Sequence, residues 1–197
     1  MKKFELTSEF ICFFGIKLFR VKALIDFSDI KAGDLGGYVE KEENLEHDGN
    51  AWVCGDARVY GNARVYGNAR VYGNAWVYGD AEVYGNARVY ENAKVCGDAR
   101  VYGDAWVYGN AKVCGDAKVY GDADYTTVKG FGSIFRTTTF FRLKNGEVGV
   151  KCGCFFGTLF DFRKKVKSTH KESTIAKEYL MLADLMEYHF KERKNNE

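Results

Sequence analysis

Three small clusters hold the side chains of this chain that could do chemistry. Cys152-Gly153-Cys154 sets two thiols two residues apart. On a strand, residues i and i+2 share a face, so both thiols together with His170 could ligate zinc. The spacing is not C-x2-C and no second such pair follows, so a buried apolar pair is the competing reading. The second cluster is Arg136, Thr137, Thr138, Thr139, Lys151 and His170. A guanidinium among hydroxyls can grip an anion such as phosphate; the plainer alternative is an exposed polar strand face. The third is the set of histidines, His47, His170 and His189. An enzyme would need them as a general base or as zinc ligands.

None of the three histidines falls inside the segment that dominates the chain. From residue 51 the sequence repeats Ala-x-Val-(Tyr or Cys)-Gly-(Asn or Asp) every six residues. Alanine holds its slot at 13 positions, Ala51 to Ala123, and valine follows two residues later at 12 of them. A strict period of six is the signature of a hexapeptide β-helix. Alternation along Ala-x-Val-Tyr sends Ala and Val inward and their neighbours outward. Gly-Asn or Gly-Asp turns each corner, because both residue types tolerate left-handed backbone. Three hexads close a triangular coil of 18 residues, so twelve make four coils, roughly 19 Å tall at ~4.8 Å per coil. The interior is Val and Ala, with no room for a ligand. Glu91 stands in a glycine slot; the expectation is a negative φ there, the slot not strictly requiring the left-handed region.

Counting back by sixes places Val39 and Leu45 in the alanine column, which leaves Lys41 and His47 in valine slots. Those two hexads are therefore expected to pack imperfectly. Before them, Phe10–Phe14 and Leu18–Leu24 flank Gly15 as a hairpin would. Phe19, Val21 and Ala23 share one face, which should bury against the open end of the array. After Ala123, residues 136–143 read as a strand, Asn145-Gly146 as a hairpin turn, and Val148, Val150, Cys152 and Cys154 as one strand face. Thr158 with Asp161 forms a capping box for a helix over 159–166. Ile175, Tyr179, Leu182, Ala183, Met186 and Phe190 mark an amphipathic helix to about Arg193; residues 191–197 should fray. The fold class is mainly β: a parallel β-helix over residues 37–124, an N-terminal β-hairpin cap over 1–36, and a C-terminal α+β unit over 125–197 that covers the last coil.

Outward residues taken every eighteen sort into three faces. Trp52, Arg70, Arg88 and Trp106 run beside Cys54, Tyr72, Tyr90 and Tyr108. Arg58, Trp76, Lys94 and Lys112 run beside Tyr60, Tyr78, Cys96 and Cys114, and Arg64, Glu82, Arg100 and Lys118 beside Tyr66, Tyr84, Tyr102 and Tyr120. Tyr, Trp and Arg are the residues that dominate protein interfaces; the alternative is a self-stacked, solvated surface. The formal net charge of +2 lacks the footprint of a nucleic-acid binder. The start of the chain shows no signal peptide, and its longest early apolar run is too short to span a bilayer. The expectation is a cytoplasmic protein whose six cysteines are free thiols.

The hexad resembles the bacterial hexapeptide-repeat family, which includes acyltransferases and γ-class carbonic anhydrases. The segments 33–45, 137–141 and 152–158 are similar to those of a group of phage and prophage proteins with the same repeats. The family resemblance implies that the coil is left-handed. It does not extend to the family's catalytic sets: the array is uninterrupted and holds no histidine. The combined expectation is a non-catalytic binding or scaffold protein without a cofactor. Its partner would be a host protein or a small signalling nucleotide, in the manner of an anti-defence inhibitor, and it would assemble as a homo-oligomer, a trimer or dimer. A self-assembling structural protein is the alternative, with an acyltransferase-like enzyme behind it.

Overall fold

Twelve hexads fold as their columns require. The structure is a computed structural model that describes residues 1–192. Strands β1 (Phe4–Phe13), β2 (Ile16–Ala23) and β3 (Leu35–Val39) precede β4 to β15, two-residue strands at six-residue steps from Trp52–Val53 to Lys118–Val119. Equivalent strands pair in parallel at a register of eighteen, as in Val53, Val71, Val89 and Val107. Every alanine from Ala51 to Ala117 and every valine from Val53 to Val119 in the array is fully buried. The result is a parallel β-solenoid with three sheets, named here for Trp106, Lys94 and Arg100. At the corners, the array glycines from Gly49 to Gly115 have φ between 66° and 76°. Glu91 has φ 57°, so the expected negative value is wrong. The corner needs left-handed backbone whatever residue occupies it, because its coil must stay in register with the coils above and below.

The first coil is also corrected. Val39 pairs with Val59, and Leu45 with Val65, two residues further apart than the eighteen of the array. Val39 and Leu45 therefore fill the valine column, and Lys41 and His47 lie outside it. Gly37 takes the alanine slot, where a Cβ would sit 2.7 Å from the Ala57 carbonyl oxygen and 2.8 Å from Val53 Cγ1. His47 instead stacks on Phe4 at 4.2 Å, and its Nδ1 accepts from the Lys3 main-chain N–H at 3.2 Å.

The N-terminal hairpin packs on the open end of the array and also continues one of its sheets. β2 pairs with β3, which pairs with β5 (Arg58–Val59), so the hairpin prolongs the Lys94 sheet to seven strands. A register irregularity between Arg20 and Lys22 breaks the simple alternation, and the buried set is Leu18, Val21 and Ala23 rather than one that includes Phe19. Phe4, Val21 and Ala23 join the solenoid core.

A solenoid leaves raw sheet edges at both ends, and unpaired main-chain groups there would be costly. Side chains satisfy them. At the first coil the Lys3 ammonium donates to the carbonyls of Ala51 at 2.9 Å and Gly49 at 3.3 Å. Asn44 donates to the carbonyls of Ala63 at 2.8 Å and Gly61 at 3.1 Å. At the last coil Asp122 accepts from the Trp106 N–H at 2.9 Å, and Thr139 from the Lys112 N–H at 3.0 Å.

The C-terminal unit is an antiparallel sheet of β16 (Tyr125–Phe131), β17 (Arg136–Arg142), β18 (Val148–Cys152) and β19 (Phe155–Thr158), followed by α1 (Leu159–His170) and α2 (Thr174–Glu192). β16 has no hexad or clean alternation and was not legible in the sequence. One face of the sheet sets Phe141 and Leu143 on the solenoid core; the other sets Phe140 and Val150 against the two helices. The Thr158 cap forms as expected, its hydroxyl accepting from the Asp161 N–H at 3.2 Å. Most of the tail expected to fray, from residue 193 on, lies outside the described residues.

Candidate functional site

The outward columns are real ladders, and each has its own chemistry. On the Trp106 sheet, Tyr72, Tyr90 and Tyr108 stack with centroids 4.9 Å and 5.3 Å apart. Beside them Arg88 lies 4.9 Å from the Trp106 ring. The Arg70 guanidinium is taken by Asp29 and Ser28 of the loop that follows β2, and that pairing holds the Asp29 carboxyl below the usual range. An open groove of about 890 Å³ runs along this sheet from Ser28 and Asp29 to Trp106. Trp52 leaves the expected face: it is 1 % exposed, covered by the Phe27 ring 5.4 Å away, whereas Trp106 is 42 % exposed. The same loop explains both facts: it covers Trp52 on the first coil and reaches Arg70 on the next, but stops short of Trp106.

On the Arg100 sheet, Tyr66, Tyr84 and Tyr102 stack at 4.8 Å and 5.1 Å, and Tyr120 meets Tyr102 edge-on at 5.3 Å. Arg100 pairs with Glu82 at 3.0 Å. Burial raises the tyrosine hydroxyls of these ladders above their ordinary pKa, Tyr60 to about 12.

On the Lys94 sheet the column begins with Tyr60 and Tyr78, stacked at 5.1 Å, and ends with Cys96 and Cys114, joined in a disulfide. This overturns the expectation of free thiols at those two positions. Neighbouring coils hold a column's residues at strand spacing, here 4.6 Å between Cα atoms, which is within bridging range. Cys12, Cys54, Cys152 and Cys154 are free.

Strand alternation divides the C-terminal cluster between two faces. Arg136, Thr138 and Cys152 face the helices; Thr139 faces the solenoid, with its hydroxyl committed to Lys112. Thr138 is buried and donates to Cys152 Sγ at 3.2 Å. Thr137 is half-buried on β17, and Lys151 pairs with Thr139 across the sheet, on the face away from Cys152. Arg136 and His170 do meet: with Lys165, Ser133 and Thr169 they rim a cleft of about 220 Å³ over Phe155, Phe162 and Val166. Tyr179 lines it too, its hydroxyl pushed up to about 12 by burial and by Cys152. Sequence reasoning missed Lys165 and Tyr179; the i, i+4, i+8 spacing of Phe162, Val166 and His170 along one helix was the available signal for the cleft.

Cys152 and Cys154 do not share a strand face. β18 ends at Cys152, which pairs with Phe155, and Gly153-Cys154 form the turn between them. Gly153 has φ 59°, and a Cβ there would collide with the Arg136 guanidinium. Cys154 points to solvent while Cys152 faces Tyr179. Among the described residues no three His, Cys, Asp or Glu side chains gather as a metal site, and none of the helices is long and apolar enough to cross a membrane.

The repeat known as the YdcK beta solenoid repeat matches residues 51–65, 63–79 and 93–109. No curated protein matches the chain. The matched segments all lie within the array, and with the observed architecture they make this chain a repeat β-solenoid protein.

Proposed function

We propose that the chain is a non-catalytic binding scaffold whose groove on the Trp106 sheet takes a protein partner. The observation that carries this reading is the groove itself: about 890 Å³, open, with Trp106 and Arg88 exposed at one end. Tryptophan, tyrosine and arginine are the usual anchors of protein interfaces, and the tyrosine ladder holds them on a rigid frame. The resemblance to phage and prophage proteins favours a host protein as the partner, with inhibition of a host defence as the use. The test compares captures from host lysate by wild type and by an Arg88→Ala/Trp106→Ala variant. A protein retained by the first and lost by the second supports the reading; identical captures refute it.

A second reading rests on the cleft between β17 and α1. Arg136, Lys165 and His170 around an apolar floor suit a small anionic ligand with an aromatic or aliphatic part, such as a nucleotide. Calorimetry with adenosine monophosphate on wild type and Arg136→Ala decides it: heat that the variant loses supports the cleft, and no heat removes it.

A further inference from the structure

The Lys94 sheet differs from the other two in one respect. Its outward row is Arg58, Trp76, Lys94 and Lys112, on four successive coils in register. None of the three cations makes an ion pair among the described residues. On the Arg100 sheet the equivalent row contains Glu82, paired with Arg100, and on the Trp106 sheet Arg70 is paired with Asp29.

The corner column just before each row reinforces the contrast. Before the Arg100 row it reads Asn62, Asp80, Asp98 and Asp116; before the Lys94 row it reads Asp56, Asn74, Asn92 and Asn110. From the second of these coils upward, the cations of the Lys94 row therefore stand beside neutral amides. In the other two columns the amides are spent on the side chain of the next coil: Asn50 donates to Asn68 at 3.0 Å, Asn68 to Asn86 at 3.2 Å, and Asn62 to the Asp80 carboxylate at 3.0 Å. The Asn74, Asn92 and Asn110 side chains make no such bonds among the described residues. They line, with Arg58, Lys94 and Lys112, a groove of about 510 Å³.

Trp76 organises this row. Lys94 Nζ sits 3.3 Å from its ring centroid, the Arg58 guanidinium 5.6 Å away, and Phe13 meets it edge-on at 4.8 Å. The indole is thus packed by two cations and a phenyl ring. Burial first, and then the neighbouring Lys112 and Arg58 charges, hold the Lys94 ammonium below its ordinary pKa.

We propose that this groove binds an oligophosphate chain laid along the solenoid axis, with Arg58, Lys94 and Lys112 contacting its oxygens and the asparagine amides donating between them. Coils at ~4.8 Å spacing repeat the donors at an interval that a linear polyanion can follow. The same chemistry belongs to inorganic oligophosphate and to the phosphate tail of a nucleoside triphosphate. This site is separate from both sites discussed above.

The test is calorimetry at low salt with tripolyphosphate and with ATP. Both should bind, and affinity should fall as salt is added. Equal affinities identify the inorganic chain as sufficient; tighter ATP binding identifies the nucleotide as the source. Lys94→Gln/Lys112→Gln should weaken tripolyphosphate by at least about tenfold, with Arg64→Gln/Lys118→Gln on the Arg100 sheet as the unaffected control. Asn92→Asp places a carboxylate beside Lys94 in a slot where the neighbouring column already uses aspartate. It should weaken binding with the fold intact by circular dichroism. No heat with either probe, equal loss in the control, or loss in Arg136→Ala with Lys94→Gln/Lys112→Gln unaffected would overturn the proposal.

Discussion

The Tyr125 hydroxyl donates to the main-chain carbonyl of Trp106 at 2.7 Å, while Asp122 accepts from the N–H of the same residue. One residue of the last Trp106-sheet strand thus has both outward main-chain groups closed by side chains from the segment that leaves the array. Tyr125→Phe keeps the packing and removes only the donor. The part-buried carbonyl then loses its donor, and the expected loss is about 1 kcal/mol in urea unfolding; a loss within error would show that water replaces the hydroxyl.

The Lys3 cap gives a pH signature. Burial lowers its ammonium from 10.5 to about 8. Between those values the unfolded chain holds the proton and the folded chain has released it, so this group makes stability rise with pH from about 8 to 10.5. The tyrosine ladders act the other way. Burial raises Tyr60 to about 12 and shifts Tyr78 and Tyr84 in the same direction. Their contribution is complete below the unfolded value of about 10 and is lost as pH climbs through about 12. Denaturant midpoints should therefore climb from pH 8 to about 10 and then drop. In Lys3→Met the climb should be absent and the drop retained.

Glu91 stores local strain that glycine would not. A non-glycine residue in the left-handed region costs about 1–2 kcal/mol, and Glu91 has φ 57° where the equivalent corners carry glycine. Glu91→Gly should raise the urea midpoint by about 1 kcal/mol equivalent, less the flexibility it adds to the unfolded chain. A lower midpoint would mean that the Glu91 side chain contributes more than its backbone costs.

The Cys96–Cys114 bridge closes a loop of one coil, a sequence separation of 18. Loop-closure entropy assigns it about 3 kcal/mol. Intact-mass measurement without reductant should show one disulfide. Cys96→Ala/Cys114→Ala should melt earlier, and reductant should lower the wild-type midpoint while leaving the variant unmoved.

The sequence made the solenoid legible because a period of six constrains every slot at once. Its columns were read correctly wherever the period ran unbroken. The first coil misled for a physical reason: Gly49-Asn50 keeps the corner pattern intact while two residues are added ahead of it. The corrective signal was size, since Gly37-Tyr38-Val39 imitates Ala57-Arg58-Val59 in bulk, small then large. The candidate sites were less legible. Trp52 reads as an outward residue until a loop some twenty residues earlier folds over it. The run from Arg136 to Thr139 reads as one cluster until strand alternation splits it between a cleft and the solenoid. The unbalanced row of the Lys94 sheet was present in the sequence all along, but as a difference between columns rather than as a motif.

The two capped ends lend the register of eighteen a consequence for how such a chain can change length. The main-chain caps lie on the terminal coils: Lys3 and Asn44 hold the first, Asp122, Tyr125 and Thr139 the last. Deleting residues 75–92 would bring Ala93 to the place of Ala75 and leave those main-chain caps their original partners, at the cost of the Phe13–Trp76 contact. Length is therefore quantised. It changes by whole coils of eighteen, each shortening or extending all three outward rows by one side chain, so the reach of this protein is set by a copy number rather than by the shape of any single residue.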